Sequence, residues 1–540
     1  MGLMCFVGVQ AAWFEMLLIR TATCKKVNGQ LSGVIGTLLQ VMFSQTSHNM
    51  MSSGIMLDMH GGGQLRVFLK MGGFVADEAA LHYVYGCKGS SGLKPCLLCQ
   101  NVFNYQEVRG IVDRDATGFA QHHTCSDYSK LVLHTPSTMR ALAAKLQASA
   151  GTAHFGELQT RLGWTYNPYN IPFTPAVADI MTPSGTAVFD WMHIYFVGGV
   201  WNVHVGQSMA FLKGHGVTYA TLNAYVKEFR WPSAIGTTSG VTAFEPKRAK
   251  SSWTAGSLKV TASEGLSLCP VLGHFMHSLD KDGTSADVKQ HVKCFMQLVG
   301  VVELLRRSSR GNVLPAQLQA AVCRHLTSFS ELYGPGYMTI KFHYSLHLHA
   351  YLARYGLLLN CFVHERKHRI PKRFANEVRN TNSDWDASVM REVTAYRLSH
   401  LHSLGFGETS VALLDPHPPS KKLVALLQQV LEVGAGATFA TSRRVRLDQW
   451  EKCTVGDLVL QICDGCMTVG VVEWHASCDV AGEVYIISSL RVWEFISGSD
   501  RSWKYRRTLE SHLCTTEEIK CTLIYAGAGE IATVLKPAHV

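Results

Sequence analysis

The spacing of apolar residues changes along the first 135 positions, which predicts a helical start followed by strands. In residues 1–50 apolar side chains recur at helix-like intervals (Trp13, Met16, Leu17, Leu38, Leu39 and Met42), so we expect a helical N-terminal segment. Gly54–Met59 and Leu65–Val75 have the pattern of two strands, and the glycine-rich residues 60–63 between them indicate a hairpin turn. Asp77 follows the second apolar run and is therefore expected at the end of a strand.

Downstream, the pattern separates a helical part from a strand-rich part. Residues 136–340 are predicted to form a mostly helical insertion, in which Val188–Val200 carries Asp190 and His193 on a helix. Residues 341–403 are predicted to be helical again, and the Gly and Pro residues of 404–435 indicate a linker with one short helix. Alternating apolar positions in 436–540 predict a small antiparallel β-barrel. The expected domain boundaries are 1–50, 51–135, 136–340, 341–403, 404–435 and 436–540.

Composition, charge and cysteine content limit the classes of protein to which the chain could belong. Of 540 residues, 47% are hydrophobic and only 17% charged, which indicates a sizeable core and argues against long disorder. The net charge of +10 fits a nucleic-acid partner, although many other proteins have a similar charge. The 16 cysteines form no regular framework, so we expect reduced thiols in a nuclear or cytoplasmic protein. No signal peptide or membrane span is predicted.

Two pairs of potential zinc ligands lie far apart in the chain. Cys96 and Cys99 are separated by two residues, and His343 and His347 by one helical turn. Each pair alone is more commonly structural than metal-binding, but together they would make a tetrahedral site, with His349 as a possible substitute ligand. A similar pair, Cys463 and Cys466, has the pattern of a hairpin turn and is interpreted as structural.

Acidic and basic residues form a second group of candidates. Asp77 and Glu365 could hold a catalytic magnesium or manganese ion, because such ions prefer carboxylate oxygens. Asp77 could equally cap the helix that begins at Glu78. Asp190 and His193 could hydrogen-bond to a residue of the active site or zinc site and orient it, or they could be an ordinary buried polar pair. A basic run beside Glu365 could contact DNA phosphates or be a solvated face: Arg366, Lys367, Arg369, Lys372 and Arg373.

These motifs occur in an order that resembles a known family. Val75-Ala-Asp-Glu, Pro95-Cys-Leu-Leu-Cys99, Asp190-Trp-Met-His193, Lys341-Phe-His-Tyr-Ser-Leu-His347 and Val363-His-Glu-Arg366 together resemble DDE/D cut-and-paste transposases of the CACTA and Plavaka-type group. The layout is also similar to the catalytic subunit of the V(D)J recombinase. The resemblance covers about residues 50 to 400.

The resemblance implies an α/β fold with an RNase H-like core, a large mostly helical insertion and metal-dependent DNA cleavage and strand transfer. Asp77 would be the second acid and Glu365 the third. Cys96, Cys99, His343 and His347 would bind a structural zinc ion. The implied setting is nuclear, with DNA as the partner and a homo-oligomer as a further expectation.

The chain departs from that family in two places. The first acid is not evident, and the candidate Asp58 lies only 19 residues before Asp77, too close for the strands that normally intervene. We therefore expect that the core lacks its first strands. Pro371, six residues after Glu365, predicts a short or bent helix there.

Two other functions compete with an active transposase. One is a non-catalytic, zinc-stabilised DNA- or chromatin-binding protein derived from such an element. The other, a cysteine-based enzyme using Cys87 or Cys361, has no supporting motif.

Overall fold

The computed structural model describes most of the chain as a mixed α/β protein. The described residues are 2–7, 10–15, 17, 19, 21–44, 49–59, 62–104, 120–236, 239–362, 369–378, 385–403, 411–434, 436–448, 451–480 and 482–537. They fall into two compact units, Met1–His204 with Gly300–Ser403, and Val205–Val299 with Leu404–Val540.

The strands, in chain order, are β1 Gly2–Val7, β2 Gln10–Glu15, β3 Ile55–Asp58, β4 Gln64–Val67, β5 Phe74–Ala76, β6 Val102–Phe103, β7 Gln121–His122, β8 Ala187–Phe189, β9 Phe229–Arg230, β10 Ala412–Leu414, β11 Thr438–Ser442, β12 Arg444–Arg446, β13 Lys452–Thr454, β14 Leu458–Cys463, β15 Cys466–Val480, β16 Glu483–Gly498, β17 Ser502–Thr515, β18 Ile519–Thr522, β19 Tyr525–Ala526 and β20 Ile531–Leu535.

The helices are α1 Thr21–Cys24, α2 Gln30–Phe43, α3 Glu78–Tyr85, α4 Pro136–Ala148, α5 Phe155–Leu162, α6 Pro175–Ala178, α7 Pro183–Thr186, α8 Trp191–Phe196, α9 Val200–Lys213, α10 Tyr219–Lys227, α11 Pro246–Ala255, α12 Ala262–Ser278, α13 Ala286–Ser308, α14 Pro315–Tyr333, α15 Ile340–Ser345, α16 Leu348–Tyr355, α17 Arg369–Glu377, α18 Trp385–Ser403 and α19 Lys421–Val430.

In the first unit, short strands pair two by two. β1 pairs with β2 and β3 with β4, both antiparallel, whereas β5 pairs with β8 and β6 with β7, both parallel. The β3–β4 hairpin confirms the predicted turn at 60–63, but its second strand ends at Val67 and Phe74–Ala76 is a separate strand. Within the described residues these pairs do not join into one sheet.

The prediction of a helical N-terminus is wrong for residues 2–15, which form the β1–β2 hairpin. Helix is present only from Thr21, in α1 and α2. Apolar residues are almost continuous in this segment, so their spacing does not distinguish a helix from a strand there.

Helix α3 shows how local sequence sets the ends of an element in this unit. Asp77 caps its N-terminus, with the side chain accepting a hydrogen bond from the Ala80 N–H. Gly86 ends it with a φ of 79°, and a Cβ there would lie 2.8 Å from the Thr165 carbonyl oxygen. Position 86 therefore requires glycine for both conformation and space.

The second unit is built on one antiparallel sheet. Its strands are ordered β18-β14-β15-β16-β17-β20-β19-β9, with β11 also paired to β15. In the part of the chain that the structure describes, this sheet does not close on itself, so the predicted small β-barrel is not confirmed. Buried side chains from neighbouring strands pack together on it, including Leu460, Val469, Trp493 and Val534. Cys463 and Cys466 are opposite each other across the tight β14–β15 turn, as the sequence predicted.

In the part of the chain that the structure describes, no helix combines the length and apolar character needed to cross a membrane.

Candidate metal centre

The two predicted ligand pairs meet in the first unit. Cys96 and Cys99 lie in the loop between α3 and β6. There the Leu98 N–H donates to the Cys96 Sγ, and the backbone of Cys99 forms an isolated antiparallel β-bridge with that of Leu133. His343 is on α15, and His347 is the residue that precedes α16. The predicted single helical turn is therefore split between two short helices, but the imidazoles still face each other.

The four ligand atoms lie within 4.8 Å of one another, and four of the distances between them match a tetrahedral site. His347 Nε2 lies 3.6 Å from Cys96 Sγ and 3.5 Å from Cys99 Sγ. His343 Nε2 lies 3.5 Å from Cys99 Sγ and 3.2 Å from His347 Nε2. A tetrahedral ion with bonds of about 2.3 Å to sulfur and about 2.05 Å to nitrogen separates sulfur from nitrogen by about 3.5 Å and two nitrogens by about 3.3 Å. These four residues, here called the Cys/His cluster, could hold such an ion.

The Cys/His cluster is sealed from solvent, since none of its four residues is more than 1% exposed. Burial would raise the pKa of the Cys96 thiol, but a hydrogen bond from Cys99 and the two imidazoles hold that pKa well below its usual value. The pKa of Cys99 is raised well above its usual value, by burial and by its neighbour Cys96. The imidazoles and the neighbouring thiol thus favour the thiolate form of Cys96, the form that binds metals.

Aromatic rings join the Cys/His cluster to the neighbouring strands. The Tyr344 ring stacks on Phe189 of β8, with 4.1 Å between ring centroids. Its hydroxyl lies 3.2 Å from the Glu78 carboxylate and 3.2 Å from the Pro95 carbonyl oxygen. His349, the suggested substitute ligand, instead bonds the Leu346 carbonyl oxygen at 2.8 Å through Nδ1 and is not part of the cluster.

Asp77 lies where the sequence placed it, directly after β5. Its carboxylate is exposed, and Oδ1 accepts from the Ala80 N–H at 2.7 Å. The capping role is therefore real. It leaves the rest of the carboxylate facing solvent, so capping does not prevent cation binding.

The sequence leaves Asp190 either a supporting role or that of an ordinary buried polar residue, but its position matches that of Asp77. β5 and β8 are parallel and in register, with Ala76 opposite Phe189, so the two aspartates follow neighbouring strands at the same edge. Each also caps the helix that comes next. The signal was present in the sequence: an apolar triplet, an aspartate, then a helix, at 74–78 and again at 187–191.

The environment of Asp190 differs from that of Asp77. Asp190 is 1% exposed, and its two oxygens accept from the Met192, His193 and Cys361 backbone N–H groups and from the His193 ring. Four hydrogen bonds use the carboxylate's whole capacity as an acceptor. A cation could reach it only by replacing one of these donors.

His193 connects the two aspartates electrostatically. Burial would lower the pKa of His193, but the hydrogen bond and charge of Asp190, with a smaller effect from the charge of Asp77, raise it overall. Lys341 Nζ donates to the His193 and Val197 carbonyl oxygens at the end of α8, at 3.3 and 2.5 Å. Burial lowers the pKa of Lys341, while the charges of Glu78 and Asp77 oppose that effect.

The remaining predicted residues do not join this site in the described part of the chain. Asp58 lies on β3, where its Oδ1 accepts from Gln64 at 3.0 Å, and it belongs to no cluster of potential ligands among the described residues. Glu365, Arg366 and Lys367 lie outside the described residues, as does the Arg369 side chain. Lys372 and Arg373 are exposed on α17, and Arg373 is 3.3 Å from the Glu377 carboxylate. Pro371 is in the first turn of α17, which tolerates proline.

No known protein-family model matches the chain, and no curated protein matches it in sequence. The function is therefore inferred from the geometry of the site.

Proposed function

We propose that the protein is a transposase-like DNA-processing protein, built for metal-dependent strand cleavage and transfer around an RNase H-like core. The observation that carries this proposal is the Cys/His cluster, in which residues 244 to 251 positions apart come within 3.6 Å. Four ligand atoms from two distant segments thus meet at the spacing that one metal ion needs. The convergence is the arrangement that the transposase-like order of motifs implies.

We assign a structural zinc ion to the Cys/His cluster. Two sulfur and two nitrogen ligands at tetrahedral spacing suit zinc, and a closed, buried set of four protein ligands is typical of structural rather than catalytic sites. Its role would be to hold the two ends of the helical region to the strands that carry Asp77 and Asp190.

Asp77 and Glu365 would hold the catalytic magnesium or manganese ion, and Asp190 follows the strand next to that of Asp77. Such an ion activates the attacking oxygen and stabilises the leaving one. Asp77 is suited to this role because its carboxylate is exposed and only partly used by its own helix. The basic residues of α17 would contact phosphates next to it.

One observation favours a second candidate, a zinc-stabilised DNA-binding protein without catalysis. Asp190 is saturated with hydrogen-bond donors, and Asp58 lies on a separate hairpin. Of the described candidate acids Asp58, Asp77 and Asp190, Asp77 is thus the one with an exposed carboxylate at this strand edge. Two-metal chemistry needs several converging carboxylates.

A strand-transfer assay on duplex DNA with free 3′-hydroxyl ends and Mg²⁺ separates the two candidates. It compares the unmodified chain with Asp77→Asn and Glu365→Gln, and measures DNA binding by mobility shift in parallel. Product from the unmodified chain and loss of product in both variants, with binding retained, supports catalysis. Salt-sensitive binding without product supports the second candidate. Absence of both product and binding overturns both.

A further inference from the structure

Three further potential ligands converge at the end of β8. One ligand atom each from Asp190, His193 and Cys361 lies within 4.8 Å of the other two. Asp190 and Cys361 are buried, while the His193 side chain is 22% exposed. We call these three residues the Asp190 triad; its side chains are distinct from the Cys/His cluster.

The backbone holds the Asp190 triad in place without help from a cation. Asp190 and His193 are three residues apart at the start of α8, and the Asp190 carboxylate caps that helix. Cys361, 171 positions later, is fixed by its own N–H, which donates to Asp190 Oδ1 at 2.9 Å. This backbone hydrogen bond brings the Cys361 thiol close to the Asp190 carboxylate and the His193 imidazole.

The ligand atoms of the Asp190 triad suit a metal cation of borderline hardness. Asp190 Oδ2 and His193 Nδ1 are 2.5 Å apart and form a hydrogen bond. Two ligands of one ion stand about 3.2 Å apart, so a small side-chain rotation that widens this gap by less than about 1 Å would admit an ion. One oxygen, one nitrogen and one sulfur suit Zn²⁺ or Co²⁺, whereas Mg²⁺ requires oxygen ligands and binds thiols poorly.

We infer that Asp190, His193 and Cys361 form a second metal site for a borderline divalent cation such as Zn²⁺. Binding releases the proton of His193 Nδ1 and the proton of the Cys361 thiol to solvent, and no oxidation or reduction occurs. In the part of the chain that the structure describes, three protein ligands are available, which leaves the fourth tetrahedral position for another ligand. The partly exposed His193 distinguishes this site from the fully buried Cys/His cluster. The existence of the site does not depend on the proposed DNA-processing function.

The test counts cobalt ions bound to the full chain. The protein is stripped with a chelator, kept reduced, and titrated with Co²⁺ while thiolate-to-cobalt charge-transfer absorption is followed. Cys361→Ser should bind about one equivalent fewer than the unmodified chain, because serine replaces the soft ligand with a poor one. Cys24→Ser, which alters a half-buried thiol outside both sites, should bind the same number. A Mg²⁺ excess of about 1000-fold should not displace the cobalt.

Equal cobalt binding by Cys361→Ser and the unmodified chain would overturn the second site. His193→Gln changes a more exposed ligand and keeps the backbone N–H that donates to Asp190, so it tests the same site if Cys361→Ser does not fold. Native mass spectrometry of the unmodified chain with Zn²⁺ needs no variant, and a single bound ion there would also refute the inference. None of these readouts involves DNA, so failure here is distinguishable from failure of strand transfer.

Discussion

Asp77 and Asp190 occupy equivalent positions, each following one strand of the parallel β5–β8 pair and each capping the next helix. The equivalence is one of backbone only. Asp77 is exposed and accepts one hydrogen bond from its own helix, whereas Asp190 is buried and accepts four. Two residues placed alike by the fold are therefore expected to respond differently to the same substitution.

At Asp77, replacement by alanine should lower the free energy of unfolding by about 1 kcal/mol, because α3 loses its cap. Asp77→Asn should change stability little, since asparagine caps a helix as well as aspartate does. Urea unfolding of both variants measures the difference. If the asparagine variant were as destabilised as the alanine variant, the charge of Asp77 rather than its cap would be stabilising the fold.

At Asp190, the same change to alanine should cost about 3 kcal/mol or more, because three buried or partly buried backbone N–H groups and the His193 ring lose their acceptor. Asp190→Asn should have an intermediate effect, as it keeps one acceptor oxygen and replaces the other with a donor. The same unfolding experiment applies. Similar costs for Asp77→Ala and Asp190→Ala would contradict the hydrogen-bond arrangement described for Asp190.

For the Cys/His cluster, Cys96→Ser should remove about one bound metal ion and lower the free energy of unfolding by about 4 kcal/mol or more, as loss of a structural metal does. Metal analysis by mass spectrometry and thermal unfolding check the two effects. Cys24→Ser is the matched control and should leave both unchanged. Full metal content in Cys96→Ser would refute this set of four ligands.

Acid should destabilise the second unit by protonating the Glu264 carboxylate. The Arg248 guanidinium donates two hydrogen bonds of 2.8 Å to the Glu264 carboxylate. These bonds lower the pKa of Glu264; burial opposes them, and the backbone N–H of Thr261 lowers the pKa further. The stabilisation is therefore complete above the ordinary glutamate pKa of about 4.3 and is lost as the pH falls through the lowered value. At neutral pH, Glu264→Gln should cost about 1 to 3 kcal/mol.

Urea unfolding, followed by circular dichroism at neutral and acidic pH, tests the predicted direction of this pH dependence. The difference in stability between the unmodified chain and Glu264→Gln should shrink as the pH falls below about 4. Glu228→Gln, at an exposed carboxylate in the same unit, is the matched control and should change stability little. A Glu264→Gln difference that grew toward acid would mean that the ion pair does not lower the pKa of Glu264.

Local sequence predicted several features of the site correctly. Asp77 after an apolar run, the β3–β4 hairpin and the Cys463–Cys466 turn all depend on residues within about ten positions of one another, where turn and capping preferences act directly. The N-terminal hairpin was missed because its nearly continuous apolar residues show no clear period. The failure of the C-terminal sheet to close was missed because closure depends on packing between strands that residue spacing does not encode.

The sequence by itself determined which side chains could bind a metal, because thiols, imidazoles and carboxylates are properties of residue type. Its order of motifs also indicated that Cys96 and Cys99 should meet His343 and His347. Only the tertiary structure decided that Asp190 lies beside Asp77 and that Cys361 lies beside Asp190. Those neighbours are set by the register of two parallel strands and by one buried backbone hydrogen bond, and both form between segments more than 100 residues apart.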